Sequence, residues 1–318
     1  MPNLLLLLAL LQTPAPPATS QVPPGVDTSF DTRVAEPAYR ENGPRVLIDE
    51  AHHNVHTAGG GYKPFADLIA SDGYRVEPGK TPFTGETLKG FDTLVIVNPR
   101  GASPSDPQTE RAKPAFTEAE ADAVRDWVRE GGSLLLIADH YPIGSATQRL
   151  ASRFGVEMSN GWTEDPGLRD PEIKDLVFTR ENGGLADHPI TQGIQCVGTF
   201  LGQSLKGPEG SVALLRLSAE AKDFLPPDKQ QSTSAAGRAQ GLALELGRGR
   251  VVVLGEAAML TAQKLDDSRF GMNVPGLDNR QLALNVMRWL GPHPPAPSPA
   301  PPEHTRPGRG GDLPGWLE

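Results

Sequence analysis

The stretch that most restricts the fold is Ser133 to Ala138, SLLLIA, six uncharged residues followed at once by Asp139-His140. A run this short and apolar has no polar face to show to water, so it reads as a strand buried on both sides, as in a parallel sheet covered by helices. Val46-Leu47-Ile48 before Asp49-Glu50 and Val251 to Leu254 before Gly255-Glu256 repeat the pattern. Thr93 to Val97, closed by Asn98-Pro99, and Tyr74 to Val76 read as further strands. Helical spacing lies between them. Phe65, Leu68 and Ile69 share one face of the segment from Tyr62 to Ser71, and Ala121, Val124, Trp127 and Val128 share another. Thr117 with Glu120 three residues on has the form of a capping box at the start of that second helix. Ala146 to Phe154 and Asn279 to Leu290 complete the helices, and Gly247-Arg248-Gly249 joins two late strands, 241–246 and 250–254, as a hairpin. Strands alternating with helices imply an α/β domain around a parallel sheet. In such sheets ligands lie at the carboxyl ends of the strands, so the residues just past each run become candidates for a site.

The expected domain spans 43–291, after a linker or arm over 21–42 and before a Pro-rich tail over 292–318. Residues 218–238, mostly polar, are expected to form a mobile loop. Leu4 to Leu11 is an eight-residue apolar run, followed by the small residues Ala18-Thr19-Ser20. It is too short to span a bilayer and has the form of a secretory signal over 1–20, although no Lys or Arg precedes it. Export to the periplasm or the medium follows. The single Cys196 excludes an internal disulfide framework, so the fold must rest on its core. A net charge of −9, with no basic run, argues against nucleic acid or an anionic membrane surface as partner. A small polar ligand, a sugar or a peptide suits it better.

Four of the seven histidines fall just past the first two strand ends, in DEAHHNVHT and DHYP. If the strands are neighbours, Glu50, His53, Asp139, His140 and Glu256 converge on one cleft, with Asn54 and His56 beside them. Two chemistries suit that set. Imidazole and carboxylate together bind a divalent metal such as Zn²⁺, with His53, His56, Asp139 and His140 as candidate ligands. A His held by a carboxylate also works as a general base near neutral pH without a metal. The spacing His52-His53-x-x-His56 matches no zinc signature, and an Asp-His pair at a strand end can equally cap a helix or hold a loop. Met272, Asn273 and Asn279 are candidate lid or ligand contacts in the Gly-rich stretch after the third strand end. Cys196 stands at no strand-to-helix turn, Ser145 lacks a nucleophile elbow, and His188-Pro189 reads as the start of a turn.

Five segments in order, VLIDEAHHNVHT, YKPFADLIASDGYRV, WVREGGSLLLIADHYP, GRGRVVVLGEAAMLTAQ and DNRQLALNVMRWL, resemble an uncharacterised family of class I glutamine-amidotransferase-like domains. That family is related to domains of gliding-motility and intraflagellar-transport proteins. The resemblance covers roughly residues 30–291 and implies a flavodoxin-like three-layer αβα sandwich. True amidotransferases carry a Cys at the turn after the strand corresponding to 133–138 and a His-x-Glu late in the chain. Here Asp139-His140 stands at the turn, and Glu256 has no His two residues before it. Thioester chemistry needs the thiolate. The expectation is therefore a hydrolase-like site without glutamine hydrolysis, or a non-catalytic carbohydrate- or peptide-binding module or scaffold on the same fold.

Overall fold

A computed structural model of the chain describes residues 25–103, 105, 113–173 and 175–292. The expected signal and most of the expected tail lie outside the described residues.

The first half alternates strand and helix: β1 Arg45–Asp49, α1 Lys63–Ser71, β2 Arg75–Gly79, α2 Gly85–Leu88, β3 Thr93–Val97, α3 Glu118–Arg129, β4 Ser133–Ile137 and α4 Ile143–Ser152. The second half adds β5 Glu157–Met158, β6 Leu205–Lys206, β7 Val212–Arg216, β8 Ala239–Leu246, β9 Gly249–Leu254 and α5 Asn279–Leu290. These strands form one nine-stranded sheet in the order β2-β1-β3-β4-β9-β8-β6-β5, with β7 also on β8. The five strands from β2 to β9 run parallel, and β8, β6, β5 and β7 extend the sheet by antiparallel pairing. Chain direction along the sheet reverses between β1 and β3, which opens a crevice at their carboxyl ends.

Helices cover both faces. Phe65, Leu68 and Ile69 of α1 and Leu282, Val286 and Leu290 of α5 pack on Val46, Ile48, Val95, Leu135 and Val252. On the other face Ala121, Val124 and Val128 of α3 and Leu150 of α4 meet Leu47, Leu94, Leu134, Leu136 and Val251. Alternate residues of one strand thus feed opposite cores, which is why β3 and β4 are buried along their whole length. The capping box at α3 forms as expected, with the Thr117 hydroxyl accepting from the Glu120 N–H at 3.2 Å and the Glu120 carboxylate accepting from the Thr117 N–H at 2.9 Å.

Two expectations need correction. Residues 218–238 are not a plain loop: Lys222–Phe224 pairs with both Ser232–Ser234 and Trp162–Glu164 in a small antiparallel sheet. Its anchor is buried and polar, with Asp223 accepting from the Thr163 hydroxyl at 2.6 Å and from the Ser204 hydroxyl at 2.6 Å. The Gly-rich stretch after β9 holds a hairpin, Ala262–Leu265 with Ser268–Gly271. The arm before β1 lies against the domain: Asp27 N–H bonds the Ala262 carbonyl at 2.9 Å, Ala38 N–H bonds Asp72 at 2.9 Å, and Tyr39 is buried.

Candidate functional site

The carboxyl ends of β1, β3, β4 and β9 carry two polar clusters of similar composition and different character.

The first is closed. Asp49, the last residue of β1, accepts from His52 Nδ1 with both oxygens, at 2.8 and 2.9 Å, and from Asn54 Nδ2 at 3.0 Å. The other face of the imidazole meets Glu120 Oε1 at 2.9 Å, and Phe83 and Phe116 flank the ring at 4.8 and 4.6 Å between centroids. His52 is 6% exposed and Asp49 fully buried. Burial works against charge on His52, but the hydrogen bonds and charges of Asp49 and Glu120 outweigh it and raise the imidazole pKa. In Glu120 burial is likewise outweighed, by the Thr117 N–H and by His52, and its pKa falls. The result is a buried carboxylate–imidazolium–carboxylate clamp that ties the β1–α1 loop to the start of α3. Both ring nitrogens are taken, so this histidine has nothing left for a ligand.

The second cluster is open. A cleft of about 630 Å³ lies over the ends of β3 and β4, with Val55, Pro142, Ile143 and Pro227 as apolar walls and His56, Arg100, Asp139 and His140 as polar ones. Asn98, buried and at φ 46°, bridges the two strand ends: its Oδ1 accepts from the Asp139 N–H at 3.0 Å and its Nδ2 donates to Asp139 Oδ2 at 2.6 Å. Asp139 Oδ1 accepts from the Ala257 N–H at 2.7 Å, which couples β4 to β9. Gln203 Nε2 donates to the carbonyls of Ala138 and Asp139, both at 2.9 Å. The amide packs so closely on α4 that a Cβ on Gly144 would lie 2.6 Å from it. Burial raises the Asp139 pKa despite the Asn98 and Ala257 bonds and the nearby His140. His140 Nδ1 lies 2.9 Å from the Tyr141 carbonyl, which places the proton on Nδ1 and, among the described residues, leaves the Nε2 lone pair unused; its ring leans on Trp162 at 5.0 Å. Beneath this pair Glu256 is 2% exposed. Its oxygens accept from the Ala258 and Met259 N–H groups at 2.6 and 2.8 Å. Burial and the charge of Asp139 nonetheless push its pKa up to about 8. Tyr62, also buried, donates to the Ala257 carbonyl at 2.7 Å and closes the floor.

The five residues expected to converge therefore separate. Asp139 and His140 face the cleft, joined by His56. Glu256 lies behind the cleft wall. Glu50 caps its own loop, accepting from the Ala58 N–H at 3.1 Å. His53, at φ 51°, is turned out into solvent, while His52 beside it is turned in. Asn54 serves the clamp. Met272 is core, Asn273 donates to Asp27 at 2.9 Å, and Asn279 ties the strand Cys196–Thr199 to α5 through both main-chain groups of Gly198. None of these last three lines the cleft. His188 caps a short turn and, with Trp289, lines a separate cavity of about 380 Å³. The candidate ligands His53, His56, Asp139 and His140 do not assemble as a set. Among the described residues no three His, Cys, Asp or Glu side chains are placed to hold a metal ion. Asn98 was available to the strand-end rule, standing directly after β3. Arg100, Gln203 and Tyr62 carried no comparable signal.

A family model described as "Domain of unknown function (DUF4350)" matches residues 54–287. The chain belongs to the DUF4350 family. The match includes the cleft-lining residues and Glu120 but begins after Asp49 and His52. No curated protein matches. Among solved structures, this DUF4350 domain is similar to the mmIFT52 N-terminal domain, at 19% identity over 77% of this chain and 96% of that chain, with a TM-score of 0.54. It is also similar to a putative thua-like protein from Bacteroides uniformis, at 16% identity over 80% of this chain and 94% of that one, TM-score 0.44. The first likeness supports the mixed α/β fold with its central sheet. Among the described residues no helix is long and apolar enough to cross a membrane.

Proposed function

We propose that this DUF4350 domain is an exported hydrolase that acts on a small polar substrate by acid–base chemistry of its own side chains, in the cleft at the ends of β3 and β4. The observation that carries the reading is the adjacency, in one open cleft, of a carboxyl with a raised pKa and an imidazole with one ring nitrogen unpartnered among the described residues. Asp139, whose carboxyl pKa is raised by burial, is the acid that donates to the leaving atom. His140, its Nδ1 proton held by the Tyr141 carbonyl, is the base: Nε2 takes a proton from water as the oxygen attacks the substrate. Glu256 is a positioning residue. It orders the turn whose Ala257 N–H holds Asp139. The parallel strand order β2-β1-β3-β4-β9 supports the flavodoxin-like, amidotransferase-like reading of the scaffold. A carboxylate where that class carries its thiol favours hydrolysis by a different route. The export half of the proposal rests on the N-terminal sequence.

The test is a panel of 4-nitrophenyl esters and glycosides, assayed with the wild-type chain and with Asp139→Asn. Hydrolysis that falls by about 10²–10⁴-fold in Asp139→Asn, in a variant that still unfolds cooperatively in urea, is the expected result. Hydrolysis insensitive to Asp139→Asn, or none across the panel, overturns the enzymatic reading in favour of a binding module.

A further inference from the structure

The acid and base of the cleft move protons but do not explain what holds a substrate. Arg100 does. Its main chain is fixed, with the N–H donating to the His52 carbonyl at 2.9 Å, so the closed clamp sets where the side chain starts. Among the described residues its guanidinium makes neither hydrogen bond nor ion pair. Several arginines elsewhere are engaged, Arg45 with Glu77, Arg153 with Asp122 and Glu118, Arg238 with Glu157 and Arg288 with Asp72, while Arg129, Arg169 and Arg216, which like Arg100 are not in such pairs, are exposed. An unpaired guanidinium lining a cavity is conspicuous in a chain with nine more acidic than basic side chains.

The neighbouring groups set the charge that this cavity can accept. His56 packs its Nδ1 edge on Gly61, where a Cβ would come within 2.5 Å. Its burial and the charge of Arg100 hold its pKa down to about 4, so it is neutral near pH 7. The start of α4 borders the cleft through Ile143. The first N–H groups of that helix are already bonded to the His140 carbonyl and to Asn160, so it adds only the positive end of its dipole. Burial raises the Asp139 pKa, and both of its oxygens are already engaged, by Asn98 Nδ2 and by the Ala257 N–H. The cleft therefore offers one full positive charge in a planar, forked donor. That matches a carboxylate, which arginine binds with two parallel hydrogen bonds, better than a phosphate dianion, which calls for more positive charge. The volume of about 630 Å³ lies within the range of small-molecule sites.

We infer that the cleft selects substrates carrying a single carboxylate on a polar body of monosaccharide to dipeptide size, with Arg100 as the carboxylate-binding residue and His56 as its neutral hydrogen-bonding neighbour. This rests on reading the cleft as the substrate site, and its test needs no turnover. Calorimetric titration of the full chain compares two matched pairs, D-glucuronate against D-glucose and N-acetyl-dialanine against its C-terminal amide, with inorganic phosphate as a further ligand. At least one acid binds about tenfold to hundredfold more tightly than its neutral partner, and more tightly than phosphate, as charge-assisted bonds of this kind allow. Arg100→Gln removes that difference without moving the urea midpoint, whereas Asp139→Asn retains it. Equal binding of acid and neutral partner, no binding of either acid, tighter binding of phosphate, or a preference that survives Arg100→Gln each overturns the inference. A lost hydrolysis with the acid preference intact would sink the reaction and leave this assignment standing.

Discussion

The ends of β1 and β4 each carry an aspartate with a histidine close behind it, and the two sets have opposite fates. At β1, Asp49 and His52 are sealed under Phe83 and Phe116, and Glu120 takes the second ring nitrogen. At β4, Asp139 and His140 stand in an open cleft, and one nitrogen of His140 has no partner among the described residues. The residue types are the same. What differs is whether every donor and acceptor has been used. A saturated buried set holds structure, since it has no valence left for a substrate; an unsaturated one at a cavity wall can act on a ligand. The two are also linked, because the loop that the clamp anchors supplies Val55 and His56 to the cleft and fixes the start of Arg100.

The comparison can be broken most directly at the clamp. Removing the imidazole in His52→Ala leaves two carboxylates buried and facing each other, and a loss of about 3–5 kcal/mol in urea unfolding is expected. A loss below about 1 kcal/mol would mean that the clamp is not what holds the loop, and the contrast between a sealed and an open cluster would fail. A smaller effect sharpens the comparison through pH. Glu256 is held near 8 in the folded chain against an ordinary value of 4.5, so between those values the native state binds more protons than the unfolded one. Between about 4.5 and 6.5 His56, held down at about 4, contributes a rise in stability, while the contribution of Glu256 falls from about 4.5 to about 8. His52 adds a fall of the same sign that begins only above 6.5 and continues through its raised folded value. Glu256→Gln should remove its falling component below pH 6.5, a change in the slope against wild type on the order of 1–2 kcal/mol, whatever constant offset its amide introduces. An unchanged slope would count against the burial assigned to Glu256. The smallest effect belongs to His53→Ala, expected within about 0.5 kcal/mol of wild type and without influence on cleft binding. A larger change would show that the outward histidine has a partner or a role.

Much of this arrangement was legible in the residues. Runs such as SLLLIA and TLVIV place buried strands because nothing in them is charged and almost nothing in them favours water, and the strand-end rule then points to Asp139 and His140. Which histidine of His52-His53 turns inward was not legible. It depends on a positive φ at His53 and on Glu120, 68 residues from His52. Glu120 itself was readable as a cap on α3, and that role holds; its other oxygen serves a histidine that the local sequence does not mention. The strands at 222–224 and 232–234 escaped for a related reason. Their partner, Trp162–Glu164, and the buried Asp223 that fastens them supply across the chain what their own polar sequence lacks.

The amino-acid sequence by itself therefore determined the parallel strands, the helices that cover them and the edge of the sheet where chemistry could sit, because apolar periodicity and capping are local properties. Only the tertiary structure decided which of the strand-end acids and histidines are sealed and which are open. Hydrogen-bond saturation and burial depend on partners brought in from distant segments. Burial raises the pKa values of Asp139 and Glu256, Asp49 and Glu120 raise that of His52, and, among the described residues, Arg100 is left without a counter-charge.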